Sequence, residues 1–231
     1  MIPSYKYLNI SYFVLFLVVF SFNVSGQDNK GNPLPHFLFS QFKEGIVIMK
    51  DGNKFTSLLN YNMVDEKMIT ELDGIYRYSK NPQSIERILL ENRMFIPVGN
   101  VFYEILTGGN VTFFLQNKSN LTPQGNDVGY GTKSRTTGPT KAQRFELTPV
   151  VYQYGEVVNI DLPQNVEVTP ASVNWVSMGD KFEKFSSERQ FIKLFPEYET
   201  ELKDYFKKVN IKIKDREDVI KLGIYCNEIM K

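Results

Sequence analysis

Gly45-Ile-Val-Ile-Met-Lys-Asp-Gly52 is the stretch of this sequence that decides the fold class. Its short apolar run ends at Asp51-Gly52, which is one of the strongest local signals of a tight hairpin turn. Residues 55–61 then alternate between two sets of side chains at the two-residue period of a β-strand. This part of the chain therefore predicts a β-hairpin.

Strand-like runs separated by turn signals continue from this hairpin to residue 116. The turns are marked by Asp73-Gly74, Gly99-Asn100 and Gly108-Gly109-Asn110. Between the first and the second of these turns, Asn81-Pro82 interrupts the strand pattern. Phe, Tyr and Trp make up 14% of the sequence, which favours a β-rich core. About eight short strands joined by local turns predict an antiparallel meander, either barrel-like or an open sheet covered by another element.

The pattern changes to a helical period after residue 186. Ser187 and Gln190 have the spacing of a capping box, and Pro196 suits the first turn of a second helix. Asp215 is a plausible cap for a third helix, which carries an apolar stripe. The fold class predicted is therefore α+β, mainly β, with a C-terminal helical segment.

Composition and patterning divide the chain into six parts. We predict a signal peptide at 1–26, a flexible leader at 27–36, the β-meander at 37–116, a Gly-, Thr- and Asn-rich loop at 117–140, the remaining strands at 141–176, and a helical tail packing on the β body at 177–231.

The signal peptide is predicted from one lysine, Lys6, followed by an apolar run from Tyr12 to Phe22 and by the small residues Ser25 and Gly26. The run is shorter than the roughly 20 apolar residues that cross a bilayer, so no transmembrane span is expected in the mature chain. A single cysteine excludes an intramolecular disulfide and is common in bacterial envelope proteins. We expect an exported bacterial protein of the periplasm or cell surface, associated with the outer membrane.

Charge argues against a nucleic-acid partner. The formal net charge is +1, and removal of Lys6 with the signal peptide makes the mature chain neutral. Lysines and acids are interspersed, whereas nucleic-acid binding relies on a concentrated basic footprint.

Cys226 is expected to be a small buried apolar residue on a helix.

Few residues are candidates for chemistry, and no cofactor is expected. His36 is the only histidine, so a catalytic triad or a multi-histidine zinc site is hard to build, and we expect it to be a solvated loop residue. Glu104 is the one candidate functional carboxylate, because a charged group within the apolar strand 101–106 must pair with a cation or face a cavity. Exposed acids on the strands, at 65–66 and 71–73, are its only potential catalytic partners.

Three segments carry a resemblance. They are residues 45–52 running into Leu58-Leu-Asn-Tyr-Asn62, Met94-Phe-Ile-Pro-Val98 followed by Val101-Phe-Tyr-Glu-Ile-Leu106, and Phe191-Ile-Lys-Leu-Phe-Pro196. Together they resemble a group of uncharacterised exported bacterial envelope proteins with a β-rich body and a short helical tail. The resemblance implies export and this layout, and it assigns no catalytic residue.

The function expected is that of a non-catalytic envelope protein that binds other proteins, as an accessory subunit of a membrane-associated assembly. The alternative is a small-molecule or lipid carrier whose barrel cavity, lined by Phe102, Ile105 and Phe113, holds an apolar ligand. The third and least favoured hypothesis is a carboxylate-based hydrolase that uses Glu104.

Overall fold

The structure is a computed structural model of the 231-residue chain, and it describes residues 34–123, 127–128, 132–133, 150–152, 155–162, 165–179 and 181–230. The predicted signal peptide, residues 27–33 of the leader, most of 124–140 and residues 141–149 lie outside the described residues.

Sixteen strands and three α-helices lie within the described residues. The strands are β1 (Lys43–Met49), β2 (Lys54–Asn62), β3 (Lys67–Leu72), β4 (Ile75–Tyr78), β5 (Ile85–Leu90), β6 (Arg93–Val98), β7 (Val101–Thr107), β8 (Val111–Gln116), β9 (Ser119–Pro123), β10 (Asp127–Val128), β11 (Thr132–Lys133), β12 (Val150–Tyr152), β13 (Gly155–Val157), β14 (Val166–Pro170), β15 (Val173–Met178) and β16 (Lys181–Phe185). The helices are α1 (Glu188–Leu194), α2 (Glu199–Val209) and α3 (Arg216–Ile229), with single 3-10 turns at Pro82–Ser84 and Pro196–Tyr198.

Twelve of these strands form one antiparallel sheet in the order β12-β13-β4-β3-β2-β1-β5-β6-β7-β8-β15-β16. The predicted mainly β fold with an antiparallel sheet and a C-terminal helical segment is confirmed. The sheet is open, with β12 and β16 at its edges, so it is a sheet and not a closed barrel. Separate two-stranded sheets pair β10 with β11 and β9 with β14.

The eight strands between residues 43 and 116 do not form one continuous meander. The strands β1 to β4 follow one another, and so do β5 to β8, but β1 pairs with β5. The chain therefore crosses between β4 and β5, at the Asn81-Pro82 breaker. The 3-10 turn at Pro82–Ser84 makes this connection, and the Lys50 amide donates to the Ser84 carbonyl at 2.9 Å.

The backbone angles of the predicted turn at Asp73-Gly74 explain why this sequence forms a turn. Asp73 has φ +53° and Gly74 has φ +74°, and positive φ at both central residues is the geometry of a type I′ hairpin turn. This turn joins β3 to β4, with Leu72 directly opposite Ile75.

The sheet curves back on itself, so that the turn between β2 and β3 contacts β7. We call this curved part of the sheet the roll. The Phe102 amide donates to the Glu66 carbonyl at 2.9 Å, and the Tyr61 hydroxyl donates to the Phe102 carbonyl at 2.9 Å. The protein's own side chains fill the interior of the roll: Val47, Leu59, Tyr61, Met68, Ile85, Ile88, Leu90, Phe95 and Phe102.

The helices cover the other end of the sheet, on the same face as the interior of the roll. We call this the inner face and its opposite the outer face. Phe113 and Phe185 of the inner face pack with Phe191 of α1, Phe206 of α2 and the stripe of α3. Cys226 belongs to this core, as expected, and burial raises the pKa of its thiol to about 12.

The helix starts follow the predicted caps. The Ser187 hydroxyl accepts from the Gln190 amide at 3.3 Å, and the Asp215 carboxylate accepts from the Asp218 amide at 3.0 Å. Pro196 begins the 3-10 turn that leads into α2. No helix within the described residues is long and apolar enough to cross a membrane.

Three predicted boundaries are wrong. Residues 119–123 of the predicted loop form β9, because the extended chain pairs with β14. Residues 181–185 of the predicted helical tail form β16, which pairs with β15. The end of the predicted flexible leader is ordered against the sheet, and His36, predicted to be solvated, is 3% exposed.

Strand register defines two rows of side chains that cross the sheet. The inner row comprises Val47, Ile88, Phe95, Glu104, Leu115, Asn174 and Phe185. The outer row comprises Ile46, Leu89, Met94, Ile105, Phe114, Trp175 and Lys184. Residues directly opposite one another on adjacent strands share a face, so each row is a continuous line of neighbours.

Candidate functional site

Glu104, the candidate carboxylate of the sequence, lies on β7 in the middle of the inner row. It is paired with Phe95 on one side and Leu115 on the other, and its exposed fraction is 0%. It therefore lies between the interior of the roll and the core under the helices. Burial of a carboxylate at such a place requires compensation by cations and hydrogen-bond donors.

Two arginines and an asparagine supply that compensation. Arg216 donates through Nε and Nη2 to Oε1 of Glu104, at 2.8 and 2.6 Å. Arg93 donates through Nη1 to Oε2 at 3.3 Å, and Asn117 donates through Nδ2 to the same oxygen at 3.1 Å. Burial opposes the charge of Arg216, but the hydrogen bonds and charge of Glu104 outweigh it and raise the pKa of Arg216.

This arrangement is a link between the sheet and the helical segment. Arg216 is the first residue of α3, and it is 112 residues from Glu104 in the chain. Each oxygen of Glu104 accepts two hydrogen bonds, which fills the acceptor capacity of a carboxylate. An acid–base or nucleophilic role would require a free oxygen, so the geometry favours a structural role for Glu104.

The other predicted acids each have partners of their own. Asp65 accepts from the Tyr78 hydroxyl and from Asn62 Nδ2, and Glu66 accepts from Gln116 and forms a 3.2 Å salt bridge with Lys118. Burial, with the charge of Asp65, raises the pKa of Tyr78. The Gly74 amide donates to Glu71 within the hairpin turn that contains Asp73.

Further polar contacts, which the sequence did not indicate, attach the helices to the inner face. Asn174 Nδ2 donates to the Ile213 carbonyl at 2.7 Å, ahead of α3. Near the end of α3, the Asn227 amide accepts from Val111 N at 3.0 Å and donates to Val111 O at 2.7 Å, as a neighbouring strand would. Four polar side chains, Glu104, Arg216, Asn174 and Asn227, therefore fix the position of α3.

The outer face carries a group of four aromatic side chains, Tyr103, Phe114, Trp175 and Phe182, which we call the outer aromatic group. Phe182 stacks on Trp175, with ring centroids 4.9 Å apart and planes 13° apart. It also contacts Phe114 at 5.4 Å and Tyr103 at 6.1 Å. Phe182 is 38% exposed, whereas Tyr103 and Phe114 are buried beneath their neighbours.

A polar chain holds the indole of this group in place. Trp175 Nε1 donates to Gln116 Oε1 at 3.0 Å, and the Gln116 amide nitrogen donates to Glu66. Glu66 is in turn paired with Lys118. The outer aromatic group is thus a positioned surface, and sequence reasoning missed it because β7 and β8 are apolar at almost every position.

His36 lies near the predicted acids and not in solvent. Its ring is 4.4 Å from that of Phe37, the backbone of Ile160 hydrogen-bonds to its imidazole, and Nδ1 has no hydrogen-bond partner. Burial lowers the pKa of His36, against the opposing effects of the Ile160 bond and of Asp65 and Asp161. In the part of the chain that the structure describes, no group of three or more His, Cys, Asp or Glu side chains could hold a metal ion.

The three side chains predicted to line a carrier cavity do not meet around one space. Phe102 lies in the filled roll, Phe113 lies in the core under the helices, and Ile105 lies on the outer face. A cleft of about 270 Å³ lies where the roll stays open, with Phe102, Met68 and Tyr78 among its lining residues.

Comparison with known proteins identifies no relative of this chain. No protein family, no curated protein and no solved structure matches the chain.

Proposed function

We propose that this chain is a non-catalytic exported protein of the bacterial envelope that binds another protein through the outer aromatic group. In this proposal it acts in the periplasm or at the cell surface, as an accessory subunit of a membrane-associated assembly. The observation that carries the proposal is Phe182, an exposed aromatic ring that stacks on Trp175 and contacts the buried Tyr103 and Phe114.

Aromatic side chains that are rigid before binding are typical of protein interfaces. Tyr, Trp and Phe are enriched there because they bury a large area and lose little conformational entropy. The stack of Phe182 on Trp175, together with the Trp175–Gln116 hydrogen bond, fixes the rings in advance. Preorganisation of this kind lowers the entropic cost of binding.

Neither alternative function has a comparable observation in its favour. A carrier needs an open apolar cavity of about 300–1,000 Å³, whereas the roll is filled and the cleft beside Phe102 is about 270 Å³. A second cleft, of about 650 Å³, lies outside the roll beside α1, and charged side chains such as Arg189, Lys193 and Lys203 are among its lining residues. A hydrolase needs an available carboxylate, whereas four hydrogen bonds occupy Glu104.

The proposal is tested by capturing partners of the tagged protein from cross-linked, gently solubilised envelopes. We expect a stoichiometric partner for the unaltered chain and for Leu72→Asp, and its loss for Phe182→Asp. Leu72 is the matched control because it is 61% exposed, more than Phe182, and lies at the tip of the β3–β4 hairpin. A monomer without a partner, or equal loss in both variants, would contradict the proposal.

A further inference from the structure

Residues 207–214, Lys-Lys-Val-Asn-Ile-Lys-Ile-Lys, comprise the end of α2 and most of its connection to α3, and they contain four lysines and no acid. We call them the lysine segment. All four lysine side chains are exposed, and none forms a salt bridge within the described part of the chain. Their charges are therefore available to an outside partner.

The backbone of the lysine segment is held in place. Asn210 ends α2 in the left-handed conformation, with φ +55°, and Ile213 is buried in the core. The Asn174 side chain binds the Ile213 carbonyl, and the Lys212 amide donates to Asp218 at 3.0 Å. These contacts fix the backbone that carries Lys212 and Lys214.

Two partly buried aliphatic side chains, Val209 and Ile211, lie between the lysines. The acids on either side of the segment are Asp204, one turn before Lys208, and Asp215, which caps α3. Asp218 is paired with Lys221 at 2.8 Å and also interacts with the charge of Lys212, so it offsets part of the charge of the segment. The segment thus combines a local charge excess with some accessible aliphatic surface.

We propose that the lysine segment binds an anionic lipid surface and holds the protein at the membrane. Clustered lysines are attracted to anionic headgroups, and each lysine near such a surface adds to the affinity. Ammonium groups on flexible stems suit a surface with diffuse charge, and the partly buried Val209 and Ile211 leave a small aliphatic area for the boundary between headgroups and acyl chains. Four lysines are a small footprint for a nucleic acid, whose binding relies on many phosphate contacts.

Vesicle co-sedimentation tests the proposal, with the purified chain beginning at Gln27. The deleted residues lie outside the compact unit Pro33–Lys231. The vesicles are one part phosphatidylglycerol to two parts phosphatidylcholine, compared with phosphatidylcholine alone. We expect binding only to the anionic vesicles and weakening by added salt, because salt screens exposed charges.

The decisive variant replaces Lys207, Lys208, Lys212 and Lys214 by Gln, and we expect it to bind the anionic vesicles about a hundredfold more weakly. The control replaces Lys50, Lys54, Lys80 and Lys193, which are also exposed, and we expect it to stay within about twofold of the unaltered chain. Both variants change the net charge equally. Matching circular dichroism spectra establish that both are folded.

Equal loss in the two variants would overturn the proposal, and so would absence of a preference for phosphatidylglycerol. Binding to heparin without binding to vesicles would identify a soluble polyanion as the partner and would also overturn it. Phe182→Asp is expected to keep vesicle binding, since it lies on β16 and outside the lysine segment. Membrane attachment and the proposed protein partner can therefore fail independently.

Discussion

The inner row and the outer row cross the same seven strands, and they differ in where they place polar groups. The inner row is largely buried and contains Glu104 and Asn174, both bonded to the helical segment. The outer row is apolar from Ile46 to Trp175, and Ile46 is 41% exposed. A sheet with one solvated face normally has apolar residues inside and polar residues outside. The central part of this sheet departs from that arrangement, because two polar residues are buried in the inner row and the outer row has no polar residue between Ile46 and Trp175.

This departure has a physical reason on each face. Helices laid on a sheet need contacts that fix their position as well as apolar burial, and buried polar pairs give position because an unpaired partner is costly. The outer row needs no such contacts. Beyond the row, at β2 to β4, the outer face carries the cluster of Phe37, Ile69, Tyr78 and Val158. The cluster covers part of the outer face, whereas Ile46, Leu58 and Phe182 remain exposed on that face.

Phe185 and Phe182 lie on opposite faces of one strand, β16, so substituting each of them compares the two faces. Phe185 is 1% exposed and packs edge-on to Phe113 at 6.0 Å, so we expect Phe185→Ala to lower the free energy of unfolding by about 3–5 kcal/mol. Phe182→Ala removes a half-covered ring and should cost about 1 kcal/mol. Urea denaturation measures both. Equal losses would show that the outer aromatic group is part of the core.

Glu104→Gln tests whether the inner row depends on charge. The change leaves Arg93 and Arg216 without their carboxylate, and we expect a loss of about 3 kcal/mol in the free energy of unfolding. Glu183→Gln, on exposed β16, is the matched control and should stay within about 0.5 kcal/mol.

A double-mutant cycle with Arg216→Met isolates the coupling of the Glu104–Arg216 pair. If the ion pair attaches α3 to the sheet, the double variant loses less than the sum of the two single losses. Strict additivity would mean that the two residues stabilise the protein independently.

Gly223→Ala tests how closely α3 approaches the inner face. A methyl group at this position would collide with the Thr107 hydroxyl and lie 3.0 Å from the Phe113 ring. Overpacking costs about 1–3 kcal/mol, which exceeds the gain of up to about 1 kcal/mol for alanine over glycine in a helix. We expect a net loss of about 1–2 kcal/mol in chemical denaturation.

Two further substitutions check this explanation. Gly108→Ala is the control, because no atom lies within 4 Å of its added methyl group. Thr107→Ala should partly rescue Gly223→Ala, since it removes the colliding hydroxyl, which has no hydrogen-bond partner. Failure of the rescue would place the strain elsewhere in the helix.

Local signals in the sequence predict most elements of the fold. The turn at Asp73-Gly74 and the caps at Ser187 and Asp215 could be identified because each signal lies within four residues of the chain. The pairing of β1 with β5 and of β8 with β15 joins distant segments, and no local pattern specifies it. Strand β9 was missed because its polar residues lack the alternation of a strand.

The candidate site was only partly predictable for a related reason. Glu104 stands out as an acid within an apolar strand, but that strand does not alternate, so its sequence does not specify which face is inner. The partner Arg216 is 112 residues away and is one of many basic residues. The outer aromatic group likewise comes together only when β15 joins β8.

A substitution of His36 tests the covered end of the outer face. Its expected effect on the free energy of unfolding is the smallest of those predicted. Its pKa is lower in the folded protein than the ordinary value of 6.5, because burial disfavours the charged ring. The unfolded chain therefore binds more protons than the folded chain once the pH falls below about 6.5, and the free energy of unfolding decreases with falling pH until the folded pKa is reached.

His36→Gln removes this contribution without removing the side chain's polar character. Between about pH 7.5 and pH 5.5, we expect the unaltered protein to lose more of its free energy of unfolding than the variant does. Urea denaturation at the two pH values measures the difference, and other titrating groups cancel in the comparison. Identical pH dependence would mean that His36 is accessible to protons in the folded chain. The leader segment would then leave this end of the outer face as open as the aromatic end, and the contrast along the outer face would disappear.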